Sequence, residues 1–61
     1  MYERYAALRD KRKMNDAEVA KTAGIPASTL YDWKAGRYQP KLDKLVKIAD
    51  ALGESIEYFL K

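Results

Sequence analysis

Ala23-Gly24-Ile25-Pro26 constrains this chain more than any other stretch. It separates two short amphipathic patterns. Val19, Ala20 and Ala23 share one side of the first, at i, i+1 and i+4. Leu30 and Trp33 share one side of the second, at i and i+3. Gly24 adopts without penalty the left-handed conformation that closes a helix. Pro26 suits the first turn of the next helix, where its absent N–H has no bond to lose. Ile25, between them, is free to drop beneath both helices. Ala20 is small where crossed helices come closest, whereas Leu30 and Trp33 are large where the second helix must hold to the body. Two helices joined by so short a turn form a helix-turn-helix over about residues 16–36.

Length and composition exclude a good deal. Sixty-one residues make a single domain, 1–61, with a small core. There is no cysteine and no histidine, so neither a disulfide nor a thiolate or imidazole metal site is available. Ser28 and Thr29 have no histidine or cysteine to act as base, the carboxylates are dispersed, and no glycine-rich loop cradles a phosphate. No enzyme activity, cofactor, metal or small-molecule ligand is expected. No apolar run approaches the roughly 20 residues of a membrane span. Charges from Glu3 onward do not fit a signal peptide. The expected location is cytoplasmic.

The formal net charge of +3 is unevenly placed. Arg4, Arg9, Lys11, Arg12 and Lys13 face only Glu3 and Asp10 in the first 13 residues, and the rest of the chain is balanced. Such a run attracts an anionic partner. It equally complements the negative pole at a helix C-terminus.

Taken in order, the first helix is expected from Tyr2 to Lys13, with Tyr2, Tyr5, Ala6 and Leu8 on its apolar side and Met14 folding back onto that side. Asn15 is a strong N-cap, with Glu18 three residues on to complete a capping box. The second helix ends near Thr22 or Ala23. The third spans about Ala27 to Ala35, with Gly36 as its stop. At 100° per residue its outward side carries Ser28, Tyr31, Asp32 and Ala35, with Ala27 at the edge. Pro40 blocks an early restart in the following loop. A fourth helix, Leu42 to Leu52, places Leu42, Leu45, Ile48, Ala49 and Leu52 on one stripe. Ser55 caps a short fifth helix, Ile56 to Leu60. No segment alternates with period two. The fold class is therefore all-α, a compact five-helix bundle containing a helix-turn-helix.

These residues resemble the lambda-repressor-like (Xre-like) helix-turn-helix domains of phage and bacterial regulators. The matching pieces are Leu8-Arg9, Ala17 to Ala20, Gly24-Ile25-Pro26, Ser28-Thr29-Leu30, Trp33, Gly36, Pro40, Leu45, Ile48-Ala49, Ala51-Leu52 and Ser55 to Leu60. The resemblance implies sequence-specific binding to double-stranded DNA by a homodimeric transcriptional regulator, usually a repressor. The start of the third helix then enters the major groove. Ala27, Ser28 and Asp32 would face base edges, Thr29 would sit near a backbone phosphate or a thymine methyl, and Arg37, Tyr38 and Lys41 would meet the DNA backbone.

Three departures from the family pattern stand out. Asp16 occupies a position where relatives often carry a phosphate-holding glutamine, so either Asn15 takes that contact or the end of the second helix sits farther from the DNA. Arg9 in the first helix is opposite Lys34 instead of the usual glutamate, so Asp10 is left as a partner for Lys34. Ala27 replaces a common base-reading glutamine. With no Arg, Lys, Gln or Asn on the outward side of the third helix, the strong bidentate readers are absent. Modest direct readout is expected, with more weight on contacts to methyl groups and on DNA shape. The competing reading is a protein-interaction module, such as an antitoxin-type domain that docks a partner protein. A large apolar patch around Tyr31, Tyr38 and Tyr58 would favour it.

Overall fold

Five helices follow one another: α1 (Tyr2–Lys11), α2 (Asp16–Ala23), α3 (Ala27–Lys34), α4 (Leu42–Ala51) and α5 (Glu57–Leu60). The computed structural model describes residues 2–60, so the two ends of the expected domain, Met1 and Lys61, lie outside the described residues. No strand occurs among the described residues.

Local chemistry sets the boundaries. At the start of α2 the Asn15 side chain accepts a hydrogen bond from the Glu18 amide at 2.8 Å, and the Glu18 carboxylate accepts from the Asn15 amide at 3.0 Å. Two otherwise unsatisfied N–H groups are thereby paired, as the sequence requires. Pro26 stands one position earlier than expected. It is the extended residue just before α3, at φ −65° and ψ 140°, and its carbonyl accepts from the Thr29 amide.

The first four helices all end in one device. After α2, the Gly24 amide donates to the Lys21 carbonyl and the Ile25 amide to that of Ala20. This paired pattern around a left-handed residue is the Schellman motif. It recurs at Gly36 and Gly53. It also recurs at Lys13, where the Lys13 and Met14 amides donate to Asp10 and Arg9. Lys13 sits at φ 58°, the only described residue other than glycine with positive φ. Hence α1 stops at Lys11, two residues before the expected end. The signal that marks the other three ends, glycine, is absent there.

One core ties the elements together. Tyr5, Leu8, Val19, Ala20, Ile25, Leu30, Trp33, Leu45, Ile48, Ala49, Leu52 and Phe59 are all buried. Helix α2 lies at the centre, packed on both α3 and α4. Met14 packs against this core, as expected of the residue that turns the chain back. The stripe on α4 is correct from Leu45 onward, but Leu42 is 58% exposed. Leu42 opens the helix a full turn before Leu45, and Pro40 is the buried residue at this end. At the other terminus α5 begins at Glu57, one residue late, with the Glu57 amide donating to the Ser55 hydroxyl. The radius of gyration, 10.1 Å, is close to the ~10.5 Å of a folded chain of this length, so these short helices are fully packed against one another.

Candidate nucleic-acid interface

Helix α3 is held from one side only. Leu30 is fully buried toward the core, and Trp33 closes against α1 through two rings. Trp33 meets Tyr2 edge-on at 5.5 Å between centroids and lies tilted to Tyr5 at 5.3 Å. Aromatic contacts of this kind contribute about 0.5–1.5 kcal/mol each beyond their area. They fix the rotation of α3 about its own axis. Ser28 and Tyr31 are consequently exposed, and Asp32 is half-exposed. Ala27 is half-buried at the edge, where its methyl also packs on the core.

Of the residues assigned to the DNA backbone, Thr29 is half-buried at the start of α3, and Arg37, Tyr38 and Lys41 are exposed in the loop beyond it. Asn15 is exposed at the opposite end of α2, with its side-chain oxygen committed to the cap. Two of the residues form a pair. The Arg37 guanidinium donates from Nε and Nη2 to one oxygen of Asp32, at 3.2 and 3.0 Å. A base-facing and a backbone-facing assignment are thus joined in the free protein.

The first helix departs most from expectation. Arg9 donates from Nη1 to Asp16 at 2.8 Å and from Nε to Asp10 at 3.0 Å. It also reaches the Tyr2 hydroxyl at 3.2 Å and lies over the Tyr5 ring. Asp10 therefore partners Arg9, not Lys34. The Tyr5 hydroxyl donates to the same Asp16 oxygen at 2.6 Å. Asp16 and Arg9 answer each other: the carboxylate that replaces the family's glutamine supplies the partner that Arg9 lacks opposite Lys34. Arg9 is thus withdrawn from the cations open to phosphate. Arg12 is also engaged, donating from Nε to the Leu52 carbonyl at 2.9 Å. Lys11 and Lys13 remain exposed.

Electrostatics follow this geometry. Burial raises the Asp16 carboxyl, but the hydrogen bonds from Tyr5 and Arg9, with the charges of Arg9 and Lys34, outweigh it and hold the group below its ordinary value. Burial and the adjacent Asp16 carboxylate push the Tyr5 phenol well above the usual tyrosine range. Arg9 is driven further into its charged form by Asp16 and Asp10. At neutral pH a charged Arg9–Asp16 pair therefore meets a neutral Tyr5 phenol that donates its proton to the carboxylate.

Sequence reasoning missed it because Tyr5 and Arg9 lie on a different helix from Asp16, beyond the reach of any helical spacing. The available signal was the coincidence of two departures, an unpaired arginine and an unexpected aspartate. The aromatic patch that would favour a protein-docking role is only partly present. Tyr31 and Tyr38 are exposed, but Tyr58 is half-buried and its hydroxyl donates to the Arg4 carbonyl at 2.9 Å.

Comparison with known proteins places this architecture. A helix-turn-helix family profile, HTH_3, matches residues 6–59. The chain is 39% identical over 56 residues to an uncharacterized HTH-type transcriptional regulator of Haemophilus influenzae, covering 92% of this chain and 23% of that protein. It is 37% identical over 51 residues to the immunity repressor protein of Bacillus phage phi105, covering 84% of this chain and 35% of that protein. The chain thus spans about a quarter to a third of the length of these relatives. It belongs to this helix-turn-helix family, the lambda-repressor-like, Xre-like group whose pattern its residues carry.

Proposed function

We propose that the chain binds double-stranded DNA sequence-specifically as the DNA-binding part of a transcriptional regulator, most simply a repressor, with α3 in the major groove. One observation carries this reading. Leu30 and Trp33 anchor α3 from behind, while along its other side Ser28 and Tyr31 are exposed and Asp32 is half-exposed. A rigid rod, small and polar over most of its free surface, suits a groove about 12 Å wide. The relatives named as a transcriptional regulator and an immunity repressor support it.

In this reading Ala27, Ser28 and Asp32 form the groove-facing set. Asn15, Thr29, Arg37, Tyr38 and Lys41 lie along the phosphates and fix the register. One copy this small makes few phosphate contacts, so tight binding calls for a homodimer on half-sites about 34 Å apart. With roughly 6–10 phosphate contacts, affinity should fall on the order of 10³–10⁵ between 50 and 200 mM salt. Selection from a random duplex library, followed by titration of the winning duplex at both salt concentrations, tests this. Ser28→Ala should relax base preference while overall affinity holds. A salt-independent Kd, or no enrichment of any duplex, overturns the reading.

A further inference from the structure

We propose that Asp32 acts on DNA as the positioning residue for Arg37, presenting its guanidinium along α3 to a pair of acceptor atoms on the duplex. This rests on the DNA-binding reading above and changes what Asp32 does within it.

Main chain and side chain both join these two residues. The Arg37 amide donates to the Asp32 carbonyl at 2.9 Å, one half of the Schellman motif that ends α3, with Gly36 at φ 80° between them. In that motif the second residue past the cap lies against the third residue from the helix end. At α2 this place is taken by Ile25, which is buried in the core. At α3 it is taken by Arg37, and the contact is an ion pair at 3.0 Å. The backbone therefore delivers Arg37 to Asp32, and the carboxylate needs only to orient the last bonds of the side chain.

The orientation has a chemical consequence. A single Asp32 oxygen receives Nε and Nη2, so the Nη1–Nη2 edge is turned away from the carboxylate. That edge offers two parallel N–H donors. It matches the O6 and N7 of guanine or two oxygens of a phosphate. Asp32 lies one turn from Ser28 on the outward side of α3, so the fork is held beside the groove-facing residues. This supplies the bidentate donor that the sequence of α3 itself lacks. It also settles an electrostatic difficulty. Asp32 is the one charged residue on that side, and a bare carboxylate approaching a polyanion is repelled; its ion pair with Arg37 offsets that charge.

A double-mutant cycle on duplex affinity tests the assignment, using the selected duplex with Asp32→Ala, Arg37→Ala and the double variant. Circular dichroism should confirm that each retains its helices. Asp32→Ala should weaken binding about tenfold in the parent chain and have no effect once Arg37 is alanine. Asp32→Glu should recover part of the loss. Two results would overturn the inference: an equal change in preference for cytosine in both backgrounds, which marks Asp32 as a reader itself, or tighter binding on loss of Asp32 in both, which marks it as a mere repulsive charge. Either leaves the DNA-binding reading intact, whereas failure of the parent chain to prefer any duplex removes both. Selection repeated with Arg37→Ala then identifies the acceptor. Loss of one fixed guanine means a base edge; a uniform loss with a shallower salt slope means a phosphate.

Discussion

Arg9 meets Asp16 at 2.8 Å and Arg37 meets Asp32 at 3.0 Å, yet these pairs live in different surroundings. The side chains of the first are 19% and 14% exposed, and those of the second 69% and 43%. Arg9 and Asp16 also bond to Tyr2, Tyr5 and Asp10, so the pair is one part of a wider network within the protein. Arg37 and Asp32 are joined chiefly to each other. Similar chemistry at similar distance thus yields a joint between α1 and α2 in one place and an open polar surface in the other. Burial and the number of partners, not bond length, separate a structural pair from one available to a ligand.

The largest expected effects concern the buried pair. Asp16→Ala leaves the buried Tyr5 hydroxyl without its acceptor and the largely buried Arg9 guanidinium without its inner carboxylate, and should cost about 2–4 kcal/mol in urea unfolding. That is a large share of the ~3–9 kcal/mol available to a chain of this length. Asp32→Ala should cost no more than about 1 kcal/mol, because water takes over both groups. Equal losses from the two substitutions would break the comparison. It sharpens with pH. The Asp16 carboxyl is held below its ordinary value in the folded state. Its stabilising contribution is therefore complete above the unfolded value, about 3.9, and disappears as pH falls through the lower folded value. The urea midpoint of the parent chain should drop below about pH 4, and that drop should be smaller in Asp16→Asn. Parallel acid limbs in the two proteins would contradict the network.

Smaller effects are expected where the helices end. Gly24 and Lys13 occupy equivalent left-handed positions, and nothing lies within 4 Å of a Cβ built at Gly24. Gly24→Ala should therefore cost only the conformational term, about 1 kcal/mol, with no clash added. Lys13→Gly should gain a similar or smaller amount for the same reason in reverse. Thermal unfolding of the two variants should shift in opposite directions, and shifts of the same sign would sink the equivalence.

These positions also show how far the sequence could be read. The spacing of Leu30 and Trp33, the Asn15–Glu18 box and the turn at Gly24 are local, and each stands where expected. The end of α1 carries no such signal, because a lysine, not a glycine, takes the left-handed turn. Leu42 fitted the stripe on a helical wheel, but a wheel has no ends and does not show that the core begins a turn later. Pairs that cross an element boundary, Tyr5 and Arg9 with Asp16 or Asp32 with Arg37, fall outside periodic reasoning altogether. At the proposed interface the side chains of α3 were legible singly, and the bond that joins one of them to the following loop was not.

The most direct test is a map of backbone amide shifts as the selected duplex is added to labelled protein. The largest changes should fall on Ala27 to Asp32 and on Arg37, Tyr38 and Lys41, and should shrink as salt is raised. Changes centred instead on the exposed Leu42, Val46 and Leu60, with the outward side of α3 unmoved, would contradict the account and favour a protein-docking role.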